Sequence, residues 1–296
     1  MAALSLATAR ARLDIESVGY LVPRPDFEGA VHNIHARACN IACGEVLLTL
    51  LTPGAPEGPT ALVLRSGFAH DLRRCFRPGD VVVWRGRRLR SSAADGDLSH
   101  AIVWKPTPLP DMAAAGQIGA NLGVARARIA ASMRDGRGIL HREAHAVCRT
   151  LEEACRDCDI EPAVRDAIRL IGWGEGLTPA GDDFLVGLVS GLVALADQSP
   201  PRRDFLSYLS GAIVAQRVRT TPIAAHYLRL GAQGHFAANI HRLRSALLAA
   251  NDVAVVRQCV DDALTLGATS GSDLATGLVS GISAWRHPQS CHCGAP

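Results

Sequence analysis

The sequence predicts an α+β protein: a small amino-terminal β-barrel or sandwich followed by an all-α domain containing two repeated glycine-rich loop-helix units. Three observations carry this. Strand-like segments between Pro and Gly clusters are confined to the first hundred or so residues. Helical apolar periodicity runs from about residue 117 to 285. Nearly the same glycine-rich word occurs twice within that helical part, about 90 residues apart.

Strands are expected at 17–22, 44–52, 60–65, 80–90 and 100–105, with loops at 53–59 and 91–97. Arg85-Gly86-Arg87-Arg88-Leu89-Arg90 reads as a hairpin with a charged edge that resists aggregation, rather than as a nucleic-acid patch. Pro106, Pro108 and Pro110 then interrupt both helix and ladder, so the domains are placed at 1–108 and 109–286, with a mobile tail at 287–296. Helices are expected at 117–134, 141–155, 162–171, 182–196, 204–217, 223–230, 235–249, 253–266 and 272–285. The seventh illustrates the warrant, because Phe236, Ile240, Leu243 and Leu247 share one face, as do Val256, Val260 and Ala263 in the eighth.

The net charge of +3 is small and is confined to the amino-terminal part, so no nucleic-acid or membrane partner is expected. The longest apolar run, 184–196, is too short to span a bilayer. Residues 1–13 lack the apolar core of a secretion signal, and nine cysteines are an odd number, which together suit reduced thiols in a cytoplasm. Lys105 is the single lysine, which disfavours Schiff-base and pyridoxal phosphate chemistry and leaves arginine as the cation for an anionic ligand.

The first repeat places Gly172, Gly174, Gly176 and Gly181 around Thr178-Pro179, with Asp182 and Asp183 immediately after. In the second, Thr269, Ser270 and Gly271 precede Asp273. Such turns expose backbone N–H groups and a helix start, a setting for an anion. Asp182, Asp183 and Asp273 are the candidate catalytic carboxylates. Gly174, Gly176, Thr178, Gly181, Thr269, Ser270 and Gly271 are the candidate ligand-binding residues. The aspartates would repel a bare phosphate; magnesium bridging the two would relieve this, as would a ligand with an NH beside its anion. No metal ligand set and no definite cofactor is assigned, with Mg2+ left open as one. The alternative is plain capping, with Thr178 and Thr269 as N-caps.

Gly187 and Gly191, and likewise Gly277 and Gly281, lie inside the following helices, where each costs about 1 kcal/mol relative to alanine. Close packing of the two helices, glycine face to glycine face, would offset that and make the loops converge; duplication without convergence is the alternative. Arg219, Thr220 and Thr221 form a further candidate anion-binding turn, with His226 one helical turn beyond, against the alternative of a surface arginine and an ordinary Thr-Pro cap. No Walker loop, dinucleotide fingerprint or nucleophile elbow is present. His32, His35, Cys39 and Cys43, the pair Cys155 and Cys158, and Cys291-His292-Cys293 match no zinc or redox pattern closely and are read as packing or adventitious groups.

The words at 176–187, 219–223 and 267–277, in that order, resemble the AllH/YlbF-like family, a former domain of unknown function that includes a subunit associated with oxamate carbamoyltransferase in allantoin catabolism. The resemblance covers roughly 170–285. It implies a transferase subunit that works with other protein subunits and exchanges carbamoyl between phosphate and the amide nitrogen of oxamate, so a small anionic substrate. It leaves open a non-catalytic ligand-binding or assembly subunit, because the Ser-Thr-Arg-Thr phosphate motif of ordinary transcarbamoylases is absent.

Overall fold

A computed structural model describes residues 10–23, 26–67, 71–132 and 142–286. The expected tail and the Cys291-His292-Cys293 group lie outside these residues. The chain divides into two compact units at Pro106/Thr107.

The first unit is a barrel of β1 (Ala11–Gly19), β2 (Phe27–Ile34), β3 (Ala38–Cys43), β4 (Val46–Leu51), β5 (Ala61–Leu64), β6 (Val81–Arg85), β7 (Arg88–Arg90), β8 (Ala94–Asp97) and β9 (Ile102–Trp104). The order β5-β4-β3-β2-β6-β7-β8-β1 closes on itself through an antiparallel β1–β5 pair, which makes eight strands the barrel. On its other side β1 pairs in parallel first with β8, at Ala11 to Asp14, and then with β9, at Ser17 to Gly19. Closure removes the open edges that a sandwich would have to protect.

Alternation puts Leu13, Ile15, Ile41, Leu48, Leu50, Leu62, Leu64 and Leu89 in the barrel interior. Register across β4, β3 and β2 is pinned by a polar relay. Thr49 Oγ1 donates to Asn40 Oδ1 at 2.8 Å, and Asn40 Nδ2 donates to Asn33 Oδ1 at 2.7 Å. A one-residue slip would leave buried Thr49 and Asn40 without these partners.

Three expectations need correction. The 91–97 segment is not all loop, because β8 lies there. Its Asp95 and Asp97 stand opposite Arg90 and Arg88 of β7, with charged atoms 3.6–4.0 Å apart. For the same reason the arginine-rich hairpin is no edge, since β7 is paired on both sides. β2 and β3 were missed because β2 buries little beyond Phe27 and Val31.

The helical unit contains, among the described residues, α1 (Ala115–Ser132), α2 (Arg142–Asp157), α3 (Ile160–Leu170), α4 (Ala180–Val193), α5 (Pro200–Ala215), α6 (Pro222–Ala232), α7 (Ala238–Ala249), α8 (Val253–Leu264) and α9 (Ser270–Trp285). Each overlaps an expected helix, with ends differing by a few residues. Every residue of α4 from Ala180 to Leu192 is buried, which makes it a central helix without a polar face. No helix among the described residues is long and apolar enough to cross a membrane.

α4 and α9 lie against one another through their glycines. A Cβ on Gly187 would sit 2.0 Å from the Leu274 carbonyl oxygen, and one on Gly277 would sit 1.9 Å from that of Phe184. Gly191 and Gly281 repeat the arrangement one turn on, against Leu278 and Leu188. Because partner numbers rise together along both helices, the two run parallel, and their amino-terminal ends share one end of the unit.

Candidate functional site

The loop before α4 leaves α3 through Gly172, Gly174 and Gly176, whose φ values of +73°, +104° and +95° L side chains rarely adopt. The chain then turns back, and Gly181 N–H donates to the Trp173 carbonyl at 2.9 Å. Gly181 and Gly271, both expected to face a ligand, instead face protein. A Cβ on either would lie 1.9–2.0 Å from a carbonyl oxygen, that of Leu170 at the end of α3 or Ala263 near the end of α8. They let each central helix begin against the helix before it.

Neither threonine caps as the capping alternative requires. α4 begins after Pro179 and α9 after Thr269, and in neither case does a side-chain cap bond form. Thr178 reaches across to the other loop, its Oγ1 lying 2.9 Å from Ser270 Oγ. Thr221, by contrast, is a true cap of α6, accepting from the Ala224 N–H at 3.1 Å, and its own hydroxyl donates to the Leu177 carbonyl at 2.5 Å. The Gly172 loop also packs against the 219–221 turn, since a Cβ there would meet the Arg219 carbonyl oxygen at 2.6 Å. All three motifs therefore meet.

The three candidate carboxylates differ in employment. Asp182 is a brace: Oδ1 accepts the Gly172 N–H at 3.1 Å and Oδ2 accepts the Thr220 hydroxyl. Burial raises its pKa, opposed by those two bonds. Asp183 is the poised group. Burial pushes its pKa up to about 7; hydrogen bonds from Ser270 and Thr178 oppose the rise, and the charges of Asp273 and Asp182 add to it. Its Oδ2 is buried with no hydrogen-bond partner among the described residues. Asp273, at the equivalent place in the second unit, is fully buried.

Thr178 and Ser270 have one hydroxyl proton each, so both can donate to the Asp183 carboxylate, or one can donate to the other and leave a single proton for Asp183. Ionised Asp183 draws both protons toward itself. Protonated Asp183 releases at least one of them, for the neighbouring hydroxyl or for a guest.

Of the two adjacent carboxylates, Asp182 is spent on internal bonds, whereas Asp183 has its pKa raised to about 7 and one oxygen left over. Among the described residues no group of three His, Cys, Asp or Glu side chains is arranged to hold a metal ion.

Arg219 is exposed beside Gly172, with no side-chain partner among the described residues. His226 is buried, and desolvation followed by the charge of Arg229 lowers its pKa to about 4. Burial therefore favours its neutral imidazole form. What the sequence reading missed is the Gly172 N–H as Asp182's donor and the Leu177 carbonyl as Thr221's acceptor. A glycine directly after the last turn of α3 was the available signal for the first; nothing signals the second.

No solved structure matches the chain. A family model described as oxamate carbamoyltransferase subunit AllH matches residues 170–282, which contain all three motifs. A second, the AllH family N-terminal domain, matches residues 8–103 and so extends the likeness to the barrel. On these two matches, which together cover most of the sequence, the chain belongs to the AllH family of oxamate carbamoyltransferase subunits.

Proposed function

We propose that this subunit holds a small anionic substrate of carbamoyl transfer where loop 172–183, loop 267–273 and turn 219–221 meet, and that Asp183 handles the proton. The supporting observation is the placement of Asp183 between the two loops, with a buried, unpartnered oxygen and a pKa near 7. Transfer from carbamoyl phosphate to oxamate forms a C–N bond to the amide nitrogen, breaks the C–O bond to phosphate and releases one proton from nitrogen. The Asp183 carboxylate accepts that proton and returns it in the reverse direction. Arg219 supplies positive charge for the dianion, and backbone N–H groups of the glycine turns supply donors.

The test is Asp183→Asn in the enzyme assembled with its companion subunits. Turnover should fall roughly 10²- to 10⁴-fold, the usual worth of a general base. Unchanged turnover by correctly folded variant protein sinks the assignment.

A second reading, an assembly subunit without chemistry of its own, is favoured by a different observation. Leu177 and Val218, on the loop and the turn, are 42% and 82% exposed. Apolar side chains beside the site suit a protein partner that completes it. Assay of the isolated chain and of the complex separates the readings: turnover by the chain alone excludes the second.

A further inference from the structure

Away from the loops, a cavity of about 280 Å³ opens between α1, α2 and α9. On α9 it is bordered by Thr276, Val279 and Ser280, the face opposite Gly277 and Gly281, so it lies on the far side of that helix from α4. Its size is just under the range usual for drug-sized ligands, which suits a smaller guest.

The lining is chemically divided. Ile129, Ala130 and Val279 give it an apolar wall, while Arg126 of α1 and Arg149 of α2, both exposed, line it as well. Arg126 is oriented by donating from Nη2 to Ser283 Oγ, and Ser283 in turn donates to the Val279 carbonyl. Of the two lining glutamates, Glu152 is paired with Arg156 at 3.4 Å. Neither Arg126 nor Arg149 has a carboxylate within ion-pair distance among the described residues, and Glu153 is the one lining acid left to offset these two guanidinium groups. Cys148 also borders the cavity, but burial and then the charge of Asp273 push its pKa up to about 12, so it stays a thiol and offers no nucleophile.

We infer that this cavity is a binding site for a small organic carboxylate, with the anionic end between Arg126 and Arg149 and the hydrocarbon part against Ile129, Ala130 and Val279. Arginine meets a carboxylate with two parallel hydrogen bonds, and the apolar wall rewards a carbon chain that a bare inorganic anion lacks. The site is separate from the carbamoyl-transfer reading and does not depend on it.

The experiment is calorimetric titration of the full chain with straight-chain monocarboxylates from acetate to hexanoate, and with inorganic phosphate. Affinity should rise about fourfold per added methylene until the cavity is full, the equivalent of about 0.8 kcal/mol for each buried CH₂. Arg149→Ala should weaken hexanoate binding at least tenfold, and Asp183→Asn should leave it unchanged. Arg149 lies on the exposed face of α2, so its replacement tests binding without threatening the fold. Absence of saturable binding, affinity that stays flat along the series or is matched by phosphate, or an Arg149→Ala protein that binds hexanoate like the parent would each overturn the inference.

Discussion

The Thr178 hydroxyl lies 2.9 Å from that of Ser270, joining two loops whose contact spans 92 residues of sequence. Since each loop opens one of two parallel helices, this contact ties their amino-terminal ends together. It also brings Asp183 of the first unit within electrostatic reach of Asp273 of the second.

Asp183→Asn should make the protein more stable at pH 8 and change it little at pH 4. A carboxyl whose folded pKa of about 7 exceeds its unfolded value of 3.8 keeps its proton in the folded state while the unfolded chain loses it. Stability therefore falls as pH rises from about 4 to 7, by on the order of 4 kcal/mol for such a shift. The amide removes that slope, less the hydrogen bonds it forms poorly. Thermal melts of both proteins across this range check it; a variant less stable than the parent at pH 8 would show that Asp183 serves the fold as an ionised cap.

Thr220→Val should destabilise by about 1–3 kcal/mol, because buried Asp182 loses the hydroxyl bonded to Oδ2. Thr220→Ser should restore most of the loss. Urea unfolding of the two variants distinguishes a lost hydrogen bond from lost packing.

Gly187→Ala should be severe, at about 3 kcal/mol or more, since its Cβ would lie 2.0 Å from the Leu274 carbonyl oxygen and neither backbone can yield without moving a central helix. Gly123→Ala, in α1 with nothing within 4 Å of the new Cβ, should instead stabilise by about 0.5–1 kcal/mol. Equal effects in denaturant melts would contradict the close crossing of α4 and α9.

His226→Gln should flatten the acid limb of the stability profile. A histidine whose folded pKa is lowered to about 4 contributes fully above its unfolded value of 6.5, and that contribution is lost as pH falls toward 4. His241, also lowered to about 4, keeps part of the slope in the variant. Melting temperatures from pH 7 to pH 4 should drop less for the variant than for the parent.

Val218→Asp should leave the isolated chain's melting temperature unchanged, because the side chain is 82% exposed, and should weaken assembly with companion subunits at least tenfold. Size-exclusion chromatography of mixtures reads this directly. An intact complex would place the partner elsewhere.

Legibility in the sequence followed the range of the interactions. The helices were readable because burial repeats locally: Phe236, Ile240, Leu243 and Leu247 all lie inside. β8 was not, because Asp95-Gly96-Asp97 has the composition of a turn and becomes a strand through the arginines it pairs with. In the site, the glycine turns and the acids were readable as a motif, but the division of labour among the acids was not. Asp182 and Asp183 are neighbours of identical chemistry, and what separates a brace from a titrating group is Thr220, 38 residues downstream, against Ser270, 87 residues downstream. The same limit applies to Gly181, whose lack of a side chain is required by a carbonyl of the preceding helix, a contact the sequence does not display.

The crossing of α4 and α9 leaves no slack between two backbones, so sliding or rolling of either past the other would drive carbonyl oxygens into Cα atoms. The separation of Asp183 and Asp273 is consequently set by the backbones themselves. On the function proposed above, these two acids form an immobile floor, and any rearrangement on binding a guest falls to outer segments such as 173–177 and 217–221.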